Sequence, residues 1–169
     1  ITHSLSQAGA HVTVITNDTS HADSVHSEAE GRGRAISCHI TDVTDLKAFT
    51  KTIDDVIASN GSIHHLVNVV GGAEVGDWSR AKDYELEMFD RIMTRNLRYA
   101  LISCQRVASS LISGSTAGSI VNISSIATRA VPLLAGYGAA KAGLEAMSRT
   151  MAAEWLSLIH ISEPTRLAT

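Results

Sequence analysis

Cysteine is scarce in this chain, and so is charge. Only Cys38 and Cys104 occur among 169 residues. They are far apart and form no CxxC pair, so they supply neither a disulfide framework nor a zinc site, and a reducing, cytoplasmic setting suits them best. Charged residues make up 18% against 44% hydrophobic, below the roughly 25% charged of an average soluble domain, which argues for a large buried core and against disorder. There is no basic excess to hold nucleic acid, because 14 Lys and Arg face 17 Asp and Glu for a formal charge of -3. No apolar run reaches the ~20 residues that span a bilayer, since Ser, Asn or Gly interrupts each candidate. The expectation is a soluble protein with no membrane partner. Histidines number eight, but His64 and His65 are adjacent and His21 and His26 lie five apart. Neither pair has the three- or four-residue spacing of helical ligands, and no metal is expected.

Both ends read as interrupted. No Met opens the chain, and Ile1, Leu5 and Ala8 fall one turn apart as in the middle of an amphipathic helix, so a preceding segment is expected. At the other end Leu156 to Arg166, LSLIHISEPTR, reads codon by codon as a transposon end joined to a sequencing adaptor. Residues 156–169 are therefore set aside as a non-native tail, leaving 1–155 to carry one partial domain.

Between those ends, strands alternate with helices. Gly9-Ala10 ends the opening helix, and His11–Thr16 (HVTVIT) is a short β-branched strand. A polar helix over Thr19–Glu30 and a Gly31-Arg-Gly turn lead into a second strand at Arg34–Ile40. Asp42–Asp45 starts a helix whose Leu46, Phe49, Ile53, Val56 and Ile57 recur at helical spacing until Asn60-Gly61. A third strand is expected at Ile63–Val70, closed by Gly71-Gly72, then one long helical region at Tyr84–Leu111. A fourth strand follows at Ser119–Ser124, and a last helix at Tyr137–Trp155. This alternation predicts an α/β fold, a doubly wound parallel sheet of the dinucleotide-binding, Rossmann-like type. Fold alone does not fix function.

The chemistry-bearing residues cluster late in the chain. Tyr137-Gly-Ala-Ala-Lys141 puts a phenol and an ammonium one helical turn apart, and Tyr137 is the one tyrosine of three with Lys four residues on. Such a pair alone is usually a solvated couple. Upstream, however, the strand Ile120–Ile123 ends in Ser124-Ser125, which sets hydroxyls at the carboxyl edge of a parallel sheet, where open α/β proteins bind ligands. A phenol ordinarily ionises near pH 10. An ammonium about 4 Å away at an effective dielectric of about 20 stabilises the phenolate by roughly 4 kcal/mol, enough to make it useful in proton transfer near neutrality.

GSIVNISS followed by YGAAK resembles the short-chain dehydrogenase/reductase family, and the likeness extends over nearly all of residues 1–155. It implies an NAD(P)(H)-dependent oxidoreductase that interconverts a carbonyl and a secondary alcohol, with a small molecule as substrate. Tyr137 is then the acid/base, Lys141 tunes it and holds the cofactor ribose, and Ser125 grips the substrate oxygen. The interval from Ser125 to Tyr137 is about one residue shorter than the commonest family spacing, so Ser124 stays a lesser candidate; the plainer reading of Ser125 is a helix or turn cap. Asn96 sits where the family keeps an Asn that kinks the long helix and joins a proton relay; a tolerated polar residue in a helix is the plainer reading. Asn68-Val69-Val70-Gly71 resembles the family's NNAG segment with Val replacing the second Asn and the Ala. Asn68 and Gly71 are thus cofactor-side candidates, Asn68 equally a sheet-stabilising one.

Asp42 and Val43 resemble the family's adenine-contacting pair, although a helix cap also explains Asp42. The ribose-reading position falls on Thr16, followed by Asn17 and Asp18, so NAD and NADP both remain open as cofactor. Aligned on the family, the first strand and its glycine-rich phosphate loop precede Ile1, and the final strands and substrate lid follow Trp155. The missing central strand splits the sheet, and these residues alone are expected to bind no NAD(P)H. By resemblance, the helices near Asn96–Leu111 and Tyr137–Trp155 build a four-helix contact between copies, giving a homodimer or homotetramer. Two rival readings are an extended-type nucleotide-sugar epimerase or dehydratase, disfavoured by the short Ser125-to-Tyr137 interval, and a non-catalytic dinucleotide-binding protein.

Overall fold

The structure is a computed structural model that describes residues 1–30 and 36–156. The Gly31-Arg-Gly turn, the expected strand start at Arg34 and residues 157–169 of the tail lie outside the described residues. The chain divides into two units, Ile1–Val56 and a second that begins at Ile57.

The first unit runs α1 (Thr2–Gln7), β1 (Val12–Thr16), α2 (Thr19–Glu30), β2 (Ile36–Ile40) and the start of α3 (Leu46–Asn60). Gly9, at φ +89, makes the left-handed turn after α1 that a side chain would resist. β1 and β2 pair in parallel, Val12 opposite Ile36 through Thr16 opposite Ile40. Asp18 accepts the N–H of His21 at 3.1 Å and the hydroxyl of Ser20 at 2.7 Å, capping α2. These bonds, that from Ser20 foremost, hold its carboxyl below the usual range. The cap of α3 is Asp45, which accepts the N–H of Ala48 at 3.0 Å. Asp42 instead closes a tight turn, accepting both the N–H and the hydroxyl of Thr44 at 2.8 Å. The expected apolar stripe of α3 is the buried one, with Phe49, Ile53 and Val56 inside.

In the second unit β3 (His65–Asn68) pairs in parallel with β4 (Ser119–Asn122), Leu66 opposite Ile120 and Asn68 opposite Asn122. Both strands are shorter than the apolar runs that announce them. The β3 ladder gives way to Val69-Val70 and then to Gly71 and Gly72 at φ +147 and +146, a backbone that cannot continue a strand. Past β4 one further bond joins Ile123 N–H to Asn68 O at 3.0 Å before the chain turns at Ser125 into a 3-10 segment, Ile126–Arg129. Among the described residues the strands form two two-stranded parallel sheets, β1 with β2 and β3 with β4, a partial Rossmann-like arrangement. Val121 is 47% exposed, more than a strand covered on both faces allows.

The long helical region is three pieces: α4 (Leu86–Met93), a π turn (Thr94–Arg98) and α5 (Tyr99–Ser113). Asn96 and Thr94 explain the widening. Asn96 Nδ2 donates to Ile92 O at 3.0 Å and Thr94 Oγ1 to Asp90 O at 2.8 Å, so side chains take carbonyls that backbone N–H groups would otherwise use. The last helix, α6 (Ala135–Trp155), starts two residues before Tyr137. Ile92, Tyr99, Cys104, Val107, Leu111 and Leu144 are the heart of the core, all 2% exposed or less. Each large aliphatic side chain among them contributes roughly 1.5–3 kcal/mol by leaving water. Among the described residues no helix is long and apolar enough to cross a membrane.

Candidate active site

The site grows from the carboxyl ends of β3 and β4 and the start of α6. Lys141, on the first turns of α6, is 3% exposed. It spends one of its three N–H donors on Ile123 O at 2.9 Å, where β4 ends. Burial lowers its pKa from the ordinary lysine value, since an ammonium loses hydration there. Its Nζ stands 5.9 Å from the ring centroid of Tyr137, at the outer limit of a cation–π contact. Tyr137 is half-buried, one helical turn below.

Asn96 reaches the same place from the π turn and is fully buried. Its Oδ1 accepts the N–H of Gly72 at 2.8 Å, and its Nδ2 donates to Gly72 O at 3.0 Å. Gly71 lies where the two arms meet. A β-carbon there would fall 2.5 Å from Asn96 Oδ1 and 3.0 Å from Lys141 Nζ, at a φ of +147. Only glycine suits both the space and the backbone. Gly71, Asn96 and Lys141 therefore converge, with Tyr137 beside Lys141.

The two serines part company. Ser124 Oγ donates to Glu145 Oε1 of α6 at 2.6 Å. Ser125, two residues beyond the Ile123 carbonyl that Lys141 holds, accepts the N–H of Ala127 at 3.2 Å, which leaves its proton for another acceptor. Ser125 thus combines the turn-cap role with a hydroxyl still able to donate.

Asn68 faces inward instead. Its Nδ2 donates to Asn122 Oδ1 at 2.8 Å, and its Oδ1 accepts from Ser103 Oγ at 2.8 Å. Asn122 passes the chain on to Ser148 at 2.9 Å. This side chain stitches β3 to β4 and to α5. Tyr99 also serves structure, its hydroxyl donating to Val70 O at 2.7 Å and burial pushing its pKa up. Asp42 and Val43 lie in the first unit, Asp42 exposed and Val43 buried.

A second set of groups frames the site without any motif to announce it. Asp77, in a 3-10 turn after Gly72, is 1% exposed. It binds Arg91 Nη2 at 3.1 Å, Arg95 Nη2, and the N–H of Glu74 at 3.0 Å, while Glu74 takes Arg95 Nη1. Burial alone would raise the pKa of Asp77, but the Glu74 N–H and the two guanidiniums outweigh it and hold the carboxyl below the ordinary aspartate value. Tyr84 bridges the same loop to α6, donating to Asp77 O at 3.3 Å and accepting the N–H of Gly136 at 3.2 Å. The four-residue spacing of Arg91 and Arg95 was the available sign of an acid to be met; nothing in the sequence points to Tyr84.

Parallel β-strands joined through helices, a buried lysine one turn after a tyrosine, and a serine at the adjoining strand end lie together in the second unit. Residues 1–163 match the short chain dehydrogenase family, and the chain belongs to that family. It is 35% identical over 152 residues to the short-chain dehydrogenase/reductase FrzI of Cladobotryum sp, an alignment covering 89% of this chain and 57% of that protein. Among solved structures it is similar to the citronellol catabolism dehydrogenase AtuB of Pseudomonas aeruginosa PAO1, with TM-score 0.82, 28% identity, and 93% and 63% of the two chains covered. It is also similar to a metagenomic short-chain oxidoreductase in complex with NADP, with TM-score 0.82, 25% identity, and 90% and 68% covered. The chain thus spans little more than half the length of the first of these relatives.

Proposed function

We propose that the whole protein carrying these residues is an NAD(P)(H)-dependent oxidoreductase that interconverts a small-molecule carbonyl and a secondary alcohol. The observation that carries this reading is the meeting of Lys141 and Asn96 at Gly71, with Tyr137 over the ammonium. Tyr137 is the acid/base, giving its phenolic proton to the carbonyl oxygen in reduction and taking it back in oxidation. Ser125 donates to the same oxygen and fixes its position. Lys141 stands beside Tyr137, its Nζ 5.9 Å from the centre of the ring. Asn96 holds the backbone beside Lys141 in place, its Oδ1 accepting the N–H of Gly72 and its Nδ2 donating to Gly72 O.

The residues suit a nicotinamide cofactor. Lys141 has N–H donors beyond the one given to Ile123, suited to ribose hydroxyls, and the bare α-carbon of Gly71 leaves the room that Lys141 Nζ and Asn96 Oδ1 take up beside the strand end. When bound, that cofactor supplies or accepts the hydride. Asp42 and Val43 are the proposed adenine-side contacts. NAD and NADP are both compatible, since Thr16, Asn17 and Asp18 offer neither an acid at the first position nor a base.

We assign turnover to the whole protein and none to these 169 residues alone, in a cytoplasmic setting. A second copy of the chain is the proposed partner, seated on the cavity of about 460 Å³ between α5 and α6 that Leu101, Ala108, Met147, Met151 and Trp155 line. The test is nicotinamide absorbance with NADH and NADPH against a panel of ketones and secondary alcohols. Cofactor-dependent turnover, with Lys141→Ala weakening cofactor binding, is expected. A well-folded whole protein that oxidises and reduces nothing, or that binds cofactor equally well as Lys141→Ala, contradicts the reading.

A further inference from the structure

Tyr137 stands between two glycines, and each is pressed by a neighbour. A β-carbon on Gly136 would lie 2.7 Å from Tyr84 Oη, and one on Gly138 would lie 2.8 Å from Ala127 O, on the turn that Ser125 caps. The first N–H groups of a helix have no acceptor within it. Leu134, at the start of α6, offers no side-chain cap, so Tyr84 supplies one from 52 residues away, accepting the N–H of Gly136 at 3.2 Å.

Tyr84 is itself fixed. Its ring meets Phe89 edge-to-face with centroids 6.5 Å apart. Its hydroxyl proton goes to Asp77 O at 3.3 Å, and Asp77 is pinned by Arg91 and Arg95. The same loop is tied a second time where Ser79 N–H donates to Leu133 O at 3.0 Å. Arg95 neighbours Asn96 in the π turn, so one loop is anchored at the Asn96 end and at the Tyr137 end.

We propose that Tyr84 is a positioning residue for Tyr137: its hydroxyl and ring, bearing on Gly136 while Ala127 O bears on Gly138, set where the backbone of Tyr137 stands against the Ser125 turn. This rests on the acid–base reading of Tyr137. Tyr84 touches no reacting atom; it acts through Gly136.

The test compares Tyr84→Phe, which keeps the ring and loses both hydrogen bonds, with the wild-type whole protein. Amide exchange at Gly136 is expected to rise roughly 5-fold or more while Ala140 and Leu144 keep their protection. In turnover, kcat is expected to fall roughly 10-fold with substrate KM unchanged, because alignment of the acid/base is lost and ground-state binding is not. Gly136→Ala, which drives the ring away instead, is expected to give the same split. Unchanged exchange at Gly136 in Tyr84→Phe, or a rise in KM at constant kcat, overturns the inference. A wild-type protein without turnover refutes the functional reading, and loss of Gly136 protection in the variant then still upholds the Tyr84 anchor.

Discussion

Replacing Gly71 by Ala separates the geometry of the site from the strain of its backbone. Gly71 and Gly72 have nearly the same φ, +147 and +146, yet a β-carbon on Gly72 meets nothing within 4 Å. Gly72→Ala therefore reports the backbone cost alone, about 1–3 kcal/mol for an L-residue forced into that region. Gly71→Ala carries that cost and more, because its methyl would sit 2.5 Å from Asn96 Oδ1. Lys141 can swing its Nζ aside, but Asn96 is fully buried and held by bonds to Gly72 N, Gly72 O and Ile92 O at 2.8, 3.0 and 3.0 Å. Pushing the amide back breaks two or three bonds with no water to replace them, about 2–4 kcal/mol beyond Gly72→Ala. Urea unfolding of the two variants measures the difference, and Gly71→Ala combined with Asn96→Ala should lose less than the two single changes summed. Equal destabilisation by Gly71→Ala and Gly72→Ala, to within about 0.5 kcal/mol, would refute the convergence of Gly71, Asn96 and Lys141.

Other consequences follow from charge and capping. Lys141 has a native pKa below its ordinary 10.5, so the unfolded chain binds more protons between the two values and stability rises with pH there; wild type should gain on Lys141→Met in urea unfolding from pH 7 to pH 10, and a difference constant with pH would contradict this. Asp77 behaves oppositely at the acid end. Its stabilisation is complete above the ordinary 3.8 and is lost as pH falls through its lowered native value, so Asp77→Asn should cost about 3 kcal/mol near neutrality and flatten the acid limb of the stability curve. Asn68→Val should cost about 2–4 kcal/mol in the same assay, since it strands Ser103 and Asn122 in the core. Asp45→Ala should cost about 1 kcal/mol as a lost helix cap, and Asp42→Ala less.

How much of this could be read in advance depended on how local the determinant is. The stripe of α3 and the four-residue step from Tyr137 to Lys141 are properties of a few neighbouring residues, and both stand in the structure as the spacing implies. The α/β class followed from the same local alternation. Strand lengths did not, because Val69-Val70 looks as strand-like as Leu66-Val67 until Gly71 and Gly72 turn the backbone. The π turn needed knowledge of which carbonyl Asn96 would take. The partners of Asn68, at separations of 54 and 35 residues, and the reach of Tyr84 to Gly136 depend on strand pairing and loop docking, which no short window encodes. The acids Asp42 and Asp45 both read as helix-starting residues, and only the turn geometry separates them: Asp45 caps α3 while Asp42 closes the turn on Thr44.

The most direct measurement is the kcat of Tyr137→Phe in the whole protein, followed by nicotinamide absorbance with a ketone that the wild type reduces. Loss of a positioned general acid predicts a fall of about 10²- to 10⁴-fold with the fold and cofactor binding retained. Undiminished turnover by that variant contradicts the assignment of the proton to Tyr137, and with it the role given to Lys141 beneath its ring.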